Sequence, residues 1–228
     1  MYPNSVPLSI HLPSYIDHTL LKPTASTAEI KKLCLEAIDL GFYGVCVNGS
    51  NTLFARYLLR GSPVKLVTVV GFPLGAMSTD AKSYEAEDAI SNGADEIDMV
   101  MHLGAFKNGD DTYVVHDIAR VKKAMGQRIL KVIIESSTLE AAEIQKACYL
   151  VMEAGADFVK TSTGFGGGGA TLEAVKLMKE VVGDRIKIKA SGGINNPDTA
   201  LAFISAGASR IGTSSGLALI NPSIIHDQ

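Results

Sequence analysis

The chain has 228 residues, of which 46% are hydrophobic, and its formal net charge at pH 7 is −3. This is enough for one sizeable core, and the interspersed charges leave no basic tract typical of a nucleic-acid surface or a membrane anchor. The segment Met1–Pro13 lacks a basic start followed by an apolar run, and no apolar run is long enough to span a bilayer. We therefore expect a cytoplasmic protein that binds neither nucleic acid nor membrane.

Short β-branched runs alternate with longer helical patterns along the chain. The predicted strands are Tyr15–Leu20, Gly44–Val47, Lys65–Val70, Glu96–Val100, Leu130–Ile134, Phe158–Thr161, Ile186–Ala190 and Arg210–Thr213. Predicted helices between them include Ser26–Leu40, Thr79–Asn92, Leu139–Ala154 and Thr171–Val182. Such alternation indicates a parallel sheet covered by helices, and eight units favour closure. We predict an α/β protein with a single (β/α)8 TIM barrel domain over residues 1–228, with room for an extra N-terminal segment.

An internal repeat supports closure into a barrel. Gly41, Gly93, Gly155 and Gly207 each follow a predicted helix and precede predicted strands two, four, six and eight, at separations of 52, 62 and 52 residues. Glycine is the residue that most readily ends a helix before a tight turn. A spacing of about two β/α units, which occurs three times in succession, is hard to reconcile with an open doubly wound sheet.

Charged residues lie inside strands that otherwise look buried. They are Asp17, Asp98, Lys131, Lys160, Lys187 and Lys189. Burying a lysine is costly unless it is paired or its pKa falls, and function in a parallel barrel collects at the carboxyl ends of the strands. We predict that Lys160 and Lys189 both face the lumen.

Glycine and hydroxyl residues follow the last three predicted strands. These loops contain Gly164–Gly169, then Gly192-Gly193, then Ser214-Ser215-Gly216. Barrels commonly bind phosphate around their last strands, often at the start of a short helix, which the segment 214–220 can form. We predict an anion site built by these three loops.

A buried lysine amine can act as a nucleophile. An amine with an ordinary pKa of about 10.4 is protonated and a poor nucleophile, but a neighbouring cation or desolvation lowers that pKa. We expect Lys189 to supply this effect to Lys160, whose iminium would act as an electron sink, and Asp98 to move protons through a water. The five histidines show no H-x-x-x-H spacing and no metal ligand set is visible, so we expect no metal and no cofactor.

Two other residue types are interpreted as structural. The cysteines, Cys34, Cys46 and Cys148, form no C-x-x-C pair and lie in apolar stretches, so we expect buried reduced thiols. We interpret His18 as a polar residue beside Asp17 rather than as a ligand.

Motifs at the strand ends resemble a known family. They are Gly71-Phe72-Pro73-Leu74-Gly75, Glu96-Ile97-Asp98-Met99-Val100, Lys131-Val132-Ile133-Ile134-Glu135, Lys160-Thr161-Ser162-Thr163-Gly164, Lys189-Ala190-Ser191-Gly192-Gly193-Ile194 and Arg210-Ile211-Gly212-Thr213-Ser214-Ser215-Gly216. Together they resemble the deoxyribose-phosphate aldolase family, which is class I and forms Schiff bases. The resemblance runs in order from about Tyr15 to Leu219.

The resemblance implies an activity and roles for residues. The activity is the reversible cleavage of 2-deoxy-D-ribose 5-phosphate to D-glyceraldehyde 3-phosphate and acetaldehyde. It implies Lys160 as the Schiff-base residue, Lys189 as the lysine that tunes it, and Asp98 as the proton-transfer carboxylate. Residues implied around the phosphate are Gly164, Gly192, Gly193, Ser214 and Ser215, and those implied as polar groups of the barrel interior are Asp17 and Lys131.

The chain departs from the family pattern at three places. His102 stands where members usually have asparagine, which we expect to alter a contact near Asp98. The loop Ser136-Ser137-Thr138 lacks the commoner glycine, and the last residues, Ile225 to Gln228, include no tyrosine of the kind that assists proton transfer in some members. We expect a slower rate rather than a lost activity.

Two alternatives stay open on the sequence. One is a sugar-phosphate isomerase or epimerase, in which Lys189 and Asp98 perform acid–base chemistry without a covalent adduct. The other is a non-catalytic binder of sugar phosphates on the same barrel. All three hypotheses take a small phosphorylated sugar or aldehyde as the partner, and all three leave room for a homo-oligomer.

Overall fold

The structure, a computed structural model, describes residues 10–221. Eight parallel strands close into a barrel in sequence order, because β8 pairs with β1. The strands are β1 (Ile16–Leu20), β2 (Gly44–Val47), β3 (Lys65–Val70), β4 (Glu96–Val100), β5 (Ile129–Ile133), β6 (Phe158–Lys160), β7 (Lys187–Ser191) and β8 (Arg210–Thr213).

Helices surround the barrel. Within the described residues they are α1 (Thr27–Asp39), α2 (Thr52–Leu58), α3 (Thr79–Ser91), α4 (Leu103–Lys107), α5 (Asp111–Ala124), α6 (Ala141–Glu153), α7 (Leu172–Val182), α8 (Pro197–Ser205) and α9 (Gly216–Ile220). A 3-10 turn at Leu12–Tyr15 precedes β1. Across residues 10–221, every helix is too short or too polar to cross a membrane.

The predicted elements are confirmed with small changes at their ends. Strands β2, β3, β4 and β8 have the predicted bounds, and the other four are displaced or shortened by one residue. The four predicted helices are each shorter than predicted by one to three residues. The prediction of one domain also covers residues 1–9 and 222–228, which lie outside the described residues, so it stays a prediction.

The repeated glycines end helices as predicted. Gly41, Gly93, Gly155 and Gly207 all have positive φ, from 65° to 113°. They follow α1, α3, α6 and α8 and lead into β2, β4, β6 and β8. The left-handed conformation, which glycine adopts without steric cost, turns each helix directly into the next strand.

The strands face two different environments. On β4, Ile97 and Met99 point outward into the hydrophobic core between barrel and helices. Glu96 and Asp98, on the alternate positions, are also buried but point into the lumen, where they pair with lysines. Part of the barrel interior is therefore occupied by charged groups, and these groups define the candidate site.

Candidate active site

Asp98 lies in the lumen between three lysines. Its Oδ1 accepts a hydrogen bond from Lys131 at 2.8 Å, and its Oδ2 accepts from Lys160 and from Lys189, each at 2.8 Å. The three lysines come from β5, β6 and β7, and Asp98 comes from the adjacent β4. The structure thus brings together the three residues predicted to be catalytic, with Lys131 in equally direct contact.

Strand register explains why Lys160 and Lys189 meet. The two residues are Cα partners across the β6–β7 pairing, so their side chains leave the sheet side by side. Both face the lumen, as predicted, and Lys160 is 3% exposed while Lys189 is fully buried. Lys187, two residues earlier on the same face, is exposed at the opposite end of the barrel and lies 5.8 Å from the ring centre of Phe158.

A second layer of ion pairs lies below Asp98. Asp17 accepts from Lys189 at 2.5 Å and lies 3.2 Å from Arg210. Glu96 lies 2.6 Å from Lys131 and 3.6 Å from Arg210. We call this set the lumen cluster; its members are Asp17, Glu96, Asp98, Lys131, Lys160, Lys189 and Arg210.

Sequence reasoning assigned no role to Glu96 or Arg210. Both are buried, and Arg210 stacks on the ring of Tyr43 with its guanidinium carbon 3.2 Å from the ring centre. A signal for Glu96 was present, because it lies two residues before Asp98 and therefore on the same face of the strand. The partner of Arg210 was not readable, since its contacts come from β1, from β4 and from the loop before β2.

Two carboxylates of the cluster, Asp17 and Asp98, are held ionised. Burial of Asp98 opposes its ionisation, but the positive charges of Lys131, Lys160 and Lys189 outweigh burial and hold its pKa well below the usual range. Burial likewise opposes ionisation of Asp17, and Lys189 with Arg210 lowers its pKa overall. Both groups are therefore anions in the resting protein.

Lys189, which is predicted to act as a cation beside Lys160, has two carboxylate partners. Burial lowers its affinity for a proton, but Asp17 and Asp98 outweigh burial and raise its pKa. Burial and Asp98 act on Lys131 in the same opposed way, and its pKa is also raised. Lys160 has Asp98 alone as a carboxylate partner within the described residues, and shares it with both other lysines. The described cluster holds four cations and three carboxylates.

A pocket opens above the cluster at the carboxyl ends of the strands. Its volume is about 510 Å³, and Lys160 is the member of the cluster that lines it. The other lining residues are Thr19 to Lys22, Thr163 to Phe165, Ser191 to Asn195 and Gly212 to Ser215. Every residue predicted to surround a phosphate lies on this wall: Gly164, Gly192, Gly193, Ser214 and Ser215.

The glycine loops of this wall pack backbone against backbone. A Cβ added to Gly169 would lie 2.3 Å from the carbonyl oxygen of Gly192, and one added to Gly192 would lie 2.9 Å from the Cα of Gly169. Gly164, Gly192 and Gly193 also have positive φ. Small residues are therefore required here, and they leave backbone N–H groups without side-chain cover beside the pocket. The predicted short helix is α9, which begins directly after Ser215.

Glu135 supports the loop after β6. Its carboxylate accepts from the backbone N–H of Thr163 at 3.2 Å and from the Thr163 hydroxyl at 2.5 Å. Glu135 itself has the unusual φ of 50°. Phe165 of this loop packs edge to face on Phe72 at 5.3 Å, joining it to the loop after β3. Glu135 ends one of the motifs that resemble the family, but the sequence pattern predicts no role for it.

The remaining singled-out residues make no hydrogen bond or ion pair with the lumen cluster in the described part of the chain, although Cys46 lies close enough to feel its charges. Cys46 is buried, and burial raises the pKa of its thiol to about 11, as expected for a packed thiol. His18 bonds Glu36 of α1 at 2.8 Å. His102 accepts from the N–H of Ala105 at 3.1 Å and so caps α4; no bond links it to Asp98, so the expected change near Asp98 is not seen in these contacts.

The expectation for the cysteines is confirmed. Cys34, Cys46 and Cys148 are all buried and free, as predicted. Residues 10–221 contain no group of three or more histidine, cysteine, aspartate or glutamate side chains arranged to hold a metal ion. The chain end without a tyrosine, Ile225 to Gln228, lies outside the described residues.

With this geometry in place, comparison with known proteins identifies the family. Residues 13–221 match the DeoC/LacD family aldolases. The chain belongs to this family. The deoxyribose-phosphate aldolase of Alkaliphilus oremlandii is 54% identical over 213 residues, which are 93% of this chain and 96% of that protein. That of Thermococcus gammatolerans is 52% identical over 217 residues, again 93% and 96%.

A solved structure of the family has the same fold. The tetrameric deoxyribose phosphate aldolase from Aeropyrum pernix superposes with a TM-score of 0.85 at 32% identity, and the match covers 94% of this chain and 91% of that one. The predicted barrel and the stated resemblance are both confirmed by these matches.

Proposed function

We propose that this aldolase reversibly cleaves 2-deoxy-D-ribose 5-phosphate to D-glyceraldehyde 3-phosphate and acetaldehyde through a Schiff base on Lys160. One observation carries the proposal: Lys160 both contacts Asp98 at 2.8 Å and lines the pocket, whereas Lys131 and Lys189 lie beneath it. The sugar's aldehyde can therefore reach Lys160 from the pocket. The names of the relatives supply the substrate.

Charge balance favours a reactive amine at this position. The cluster has one more cation than carboxylates, so release of one proton makes its charges equal. Lys131 and Lys189 hold their protons, because carboxylates raise their pKa values. In this mechanism Lys160 releases the proton, attacks C1 of the open-chain sugar and, after loss of water, becomes an iminium. The iminium restores a positive charge beside Asp98.

Asp98 is assigned to proton transfer during carbon–carbon cleavage. When the C2–C3 bond breaks, its electron pair neutralises the iminium and gives an enamine, while the C3 hydroxyl loses a proton to form the aldehyde of the first product. Loss of the iminium charge removes one of three positive charges that lower the pKa of Asp98. The carboxylate thus becomes a better proton acceptor, through a water, as the proton is released. Protonation of the enamine at C2 and hydrolysis then release acetaldehyde.

The other residues are assigned to holding these groups and the substrate. Asp17 and Lys131 fix Lys189 and Asp98 through ion pairs of 2.5 and 2.8 Å. The phosphate is assigned to the wall made by Gly164, Gly192, Gly193, Ser214 and Ser215, where N–H and hydroxyl groups line the pocket. No cofactor enters the proposed reaction. Action in the cytoplasm belongs to the proposal and is supported by the three free buried thiols; a homo-oligomer stays a prediction.

Reductive trapping tests the proposal. The protein is incubated with 2-deoxyribose 5-phosphate, reduced with borohydride, digested and analysed by mass spectrometry, while glyceraldehyde 3-phosphate is measured in a coupled assay. We expect an adduct on Lys160 in the wild type and in Lys82→Met, a variant that lacks a buried lysine outside the lumen. Cleavage without an adduct on Lys160 would overturn the Schiff base, and recovery of intact substrate would overturn the aldolase assignment.

A further inference from the structure

Charge on the pocket wall is confined to two side chains. Of the described residues that line the pocket, Lys22 and Lys160 are the charged ones. Lys160 is the residue assigned to bond the sugar carbonyl, so its charge is not available to the far end of the substrate. A phosphate monoester carries between one and two negative charges at neutral pH. Lys22 is thus the cation on this wall that remains to meet it.

Strand order places Lys22 beside the predicted phosphate wall. Lys22 follows β1 by two residues, and β1 pairs with β8 with His18 opposite Thr213. The carboxyl ends of these two strands are therefore neighbours, so Lys22 and the loop of Ser214 and Ser215 flank the same side of the pocket. A four-carbon side chain at this point can reach a phosphate bound there.

In the structure Lys22 is held aside by Glu29. The ammonium group of Lys22 pairs with the carboxylate of Glu29, and the two side chains are 47% and 41% exposed. Hydrogen bonds from Lys22 and Ser26 lower the pKa of Glu29 to about 2, so Glu29 stays an anion at neutral pH. Because the pair is open to solvent, water and salt weaken it, and a phosphate dianion can compete for the lysine.

Glu29 keeps a second role when Lys22 leaves. Its carboxylate accepts from the backbone N–H and the hydroxyl of Ser26, each at 2.9 Å, in the capping box that begins α1. The helix start therefore does not depend on Lys22. Loss of the Lys22–Glu29 ion pair therefore leaves the start of α1 in place, and Lys22 can exchange its partner.

We propose that Lys22 is a specificity-determining residue that exchanges Glu29 for the phosphate group of the substrate, so that the enzyme distinguishes phosphorylated from unphosphorylated sugars. The inference rests on the proposed function, because the substrate it discriminates is the one named there. Glu29 competes with the phosphate for Lys22 and is not itself a ligand of the substrate.

Kinetics with a matched pair of substrates test this assignment. The kcat/KM values for 2-deoxyribose 5-phosphate and for 2-deoxyribose are measured for the wild type and Lys22→Met. We expect the ratio of the two values to fall about 10- to 100-fold, mainly through a higher KM for the phosphorylated sugar, as for loss of a hydrogen bond between charged groups. Glu29→Gln keeps a capping acceptor and removes the competing charge, so its KM for the phosphorylated sugar should fall.

Lys32→Met is the control variant for Lys22→Met. Lys32→Met removes an exposed lysine of α1 that does not line the pocket, and its substrate ratio should equal that of the wild type. An unchanged ratio in Lys22→Met would overturn the proposal. If the wild type cleaves neither sugar, the proposed function fails instead, and calorimetric titration with inorganic phosphate decides about Lys22: equal affinity of wild type and Lys22→Met would overturn it, and weaker binding by the variant would support it.

Discussion

Two buried lysine–carboxylate groups in this protein differ in a way that separates structure from chemistry. Outside the barrel, Lys82 of α3 pairs with Asp117 of α5 at 2.7 Å, and neither side chain is exposed. Lys82 also donates to the carbonyl of Val100 at the end of β4, and Asp117 accepts from Thr79. Inside the barrel, the lumen cluster is equally buried but joins seven residues.

The net pKa shifts of Lys82 and Lys189 have opposite signs. Burial lowers the pKa of Lys82, and the charges of Asp117 and Glu85 do not offset it. Burial also lowers the proton affinity of Lys189, but two carboxylates outweigh it and raise the pKa. The balance between burial and the charges of nearby carboxylates therefore has a different outcome at the two lysines.

Burial alone does not make a lysine catalytic. The outer ion pair joins one cation to one carboxylate, with the charge of Glu85 nearby, and neither partner lines the pocket, which fits a structural role. The lumen cluster has a surplus cation, and one of its lysines, Lys160, lines the pocket. The opening of Lys160 to the pocket and the surplus positive charge of the lumen cluster, rather than burial, distinguish the candidate nucleophile. Three experiments test this contrast.

The largest effect is expected from Lys160→Met. Cleavage should fall by at least about a thousandfold, because the covalent nucleophile is lost. Stability should change little, since Asp98 keeps Lys131 and Lys189 and the cluster becomes balanced. A coupled assay and urea unfolding measure the two quantities. A loss of unfolding free energy as large as that of Lys82→Met would contradict the idea of a surplus charge.

Lys82→Met should show the opposite profile. Removal of the cation leaves Asp117 buried without its ion-pair partner, and breaking such a pair typically costs about 3–5 kcal/mol. Activity per folded molecule should stay within about threefold of the wild type, because Lys82 does not touch the pocket. Urea unfolding and active-site titration by borohydride trapping separate the two effects. A large fall in kcat of the folded fraction would show that the outer pair positions β4 for catalysis.

The smallest effect is expected on the free energy of unfolding when the pH is lowered. Asp17 and Asp98 have lowered pKa values in the folded protein, so their stabilisation is fully present above the unfolded value of about 3.9 and is lost as the pH falls towards the folded values. Denaturant unfolding between pH 6 and pH 3 should show this loss. Salt at about 0.5 M should barely change it, because buried pairs are poorly screened. If salt abolished the loss, exposed pairs such as Lys107–Glu143 would be its source.

Much of the barrel and part of the site could be predicted from local patterns. The strand of Asp98 has apolar residues on one face and acidic ones on the other, and this alternation is visible in five letters of sequence. The glycines at Gly41, Gly93, Gly155 and Gly207 are local devices as well, and their positive φ values follow from their place after a helix. Lys160 and Lys189 could be assigned to one space because both lie near the carboxyl ends of adjacent parallel strands.

Partners across the barrel could not be predicted in this way. Arg210 meets Asp17 and Glu96, which lie 193 and 114 positions away in the chain. The sequence pattern places Lys189 beside Lys160, but its ion pair with Asp17, 172 positions away in the chain, is not predictable in this way. Contacts of this kind depend on closure and register, and no local pattern encodes them.

Local sequence patterns are enough to specify the class of fold, the repeat of helix ends and the residue types available for lysine chemistry, because propensity, alternation and capping act over a few residues. Which charges neutralise each other, and which lysine reaches the pocket, depend on the folded barrel. Those outcomes depend on closing eight strands into a ring, which places Asp98 within 2.8 Å of three lysines and leaves Lys160 as the cluster's one contact with the substrate space among the described residues.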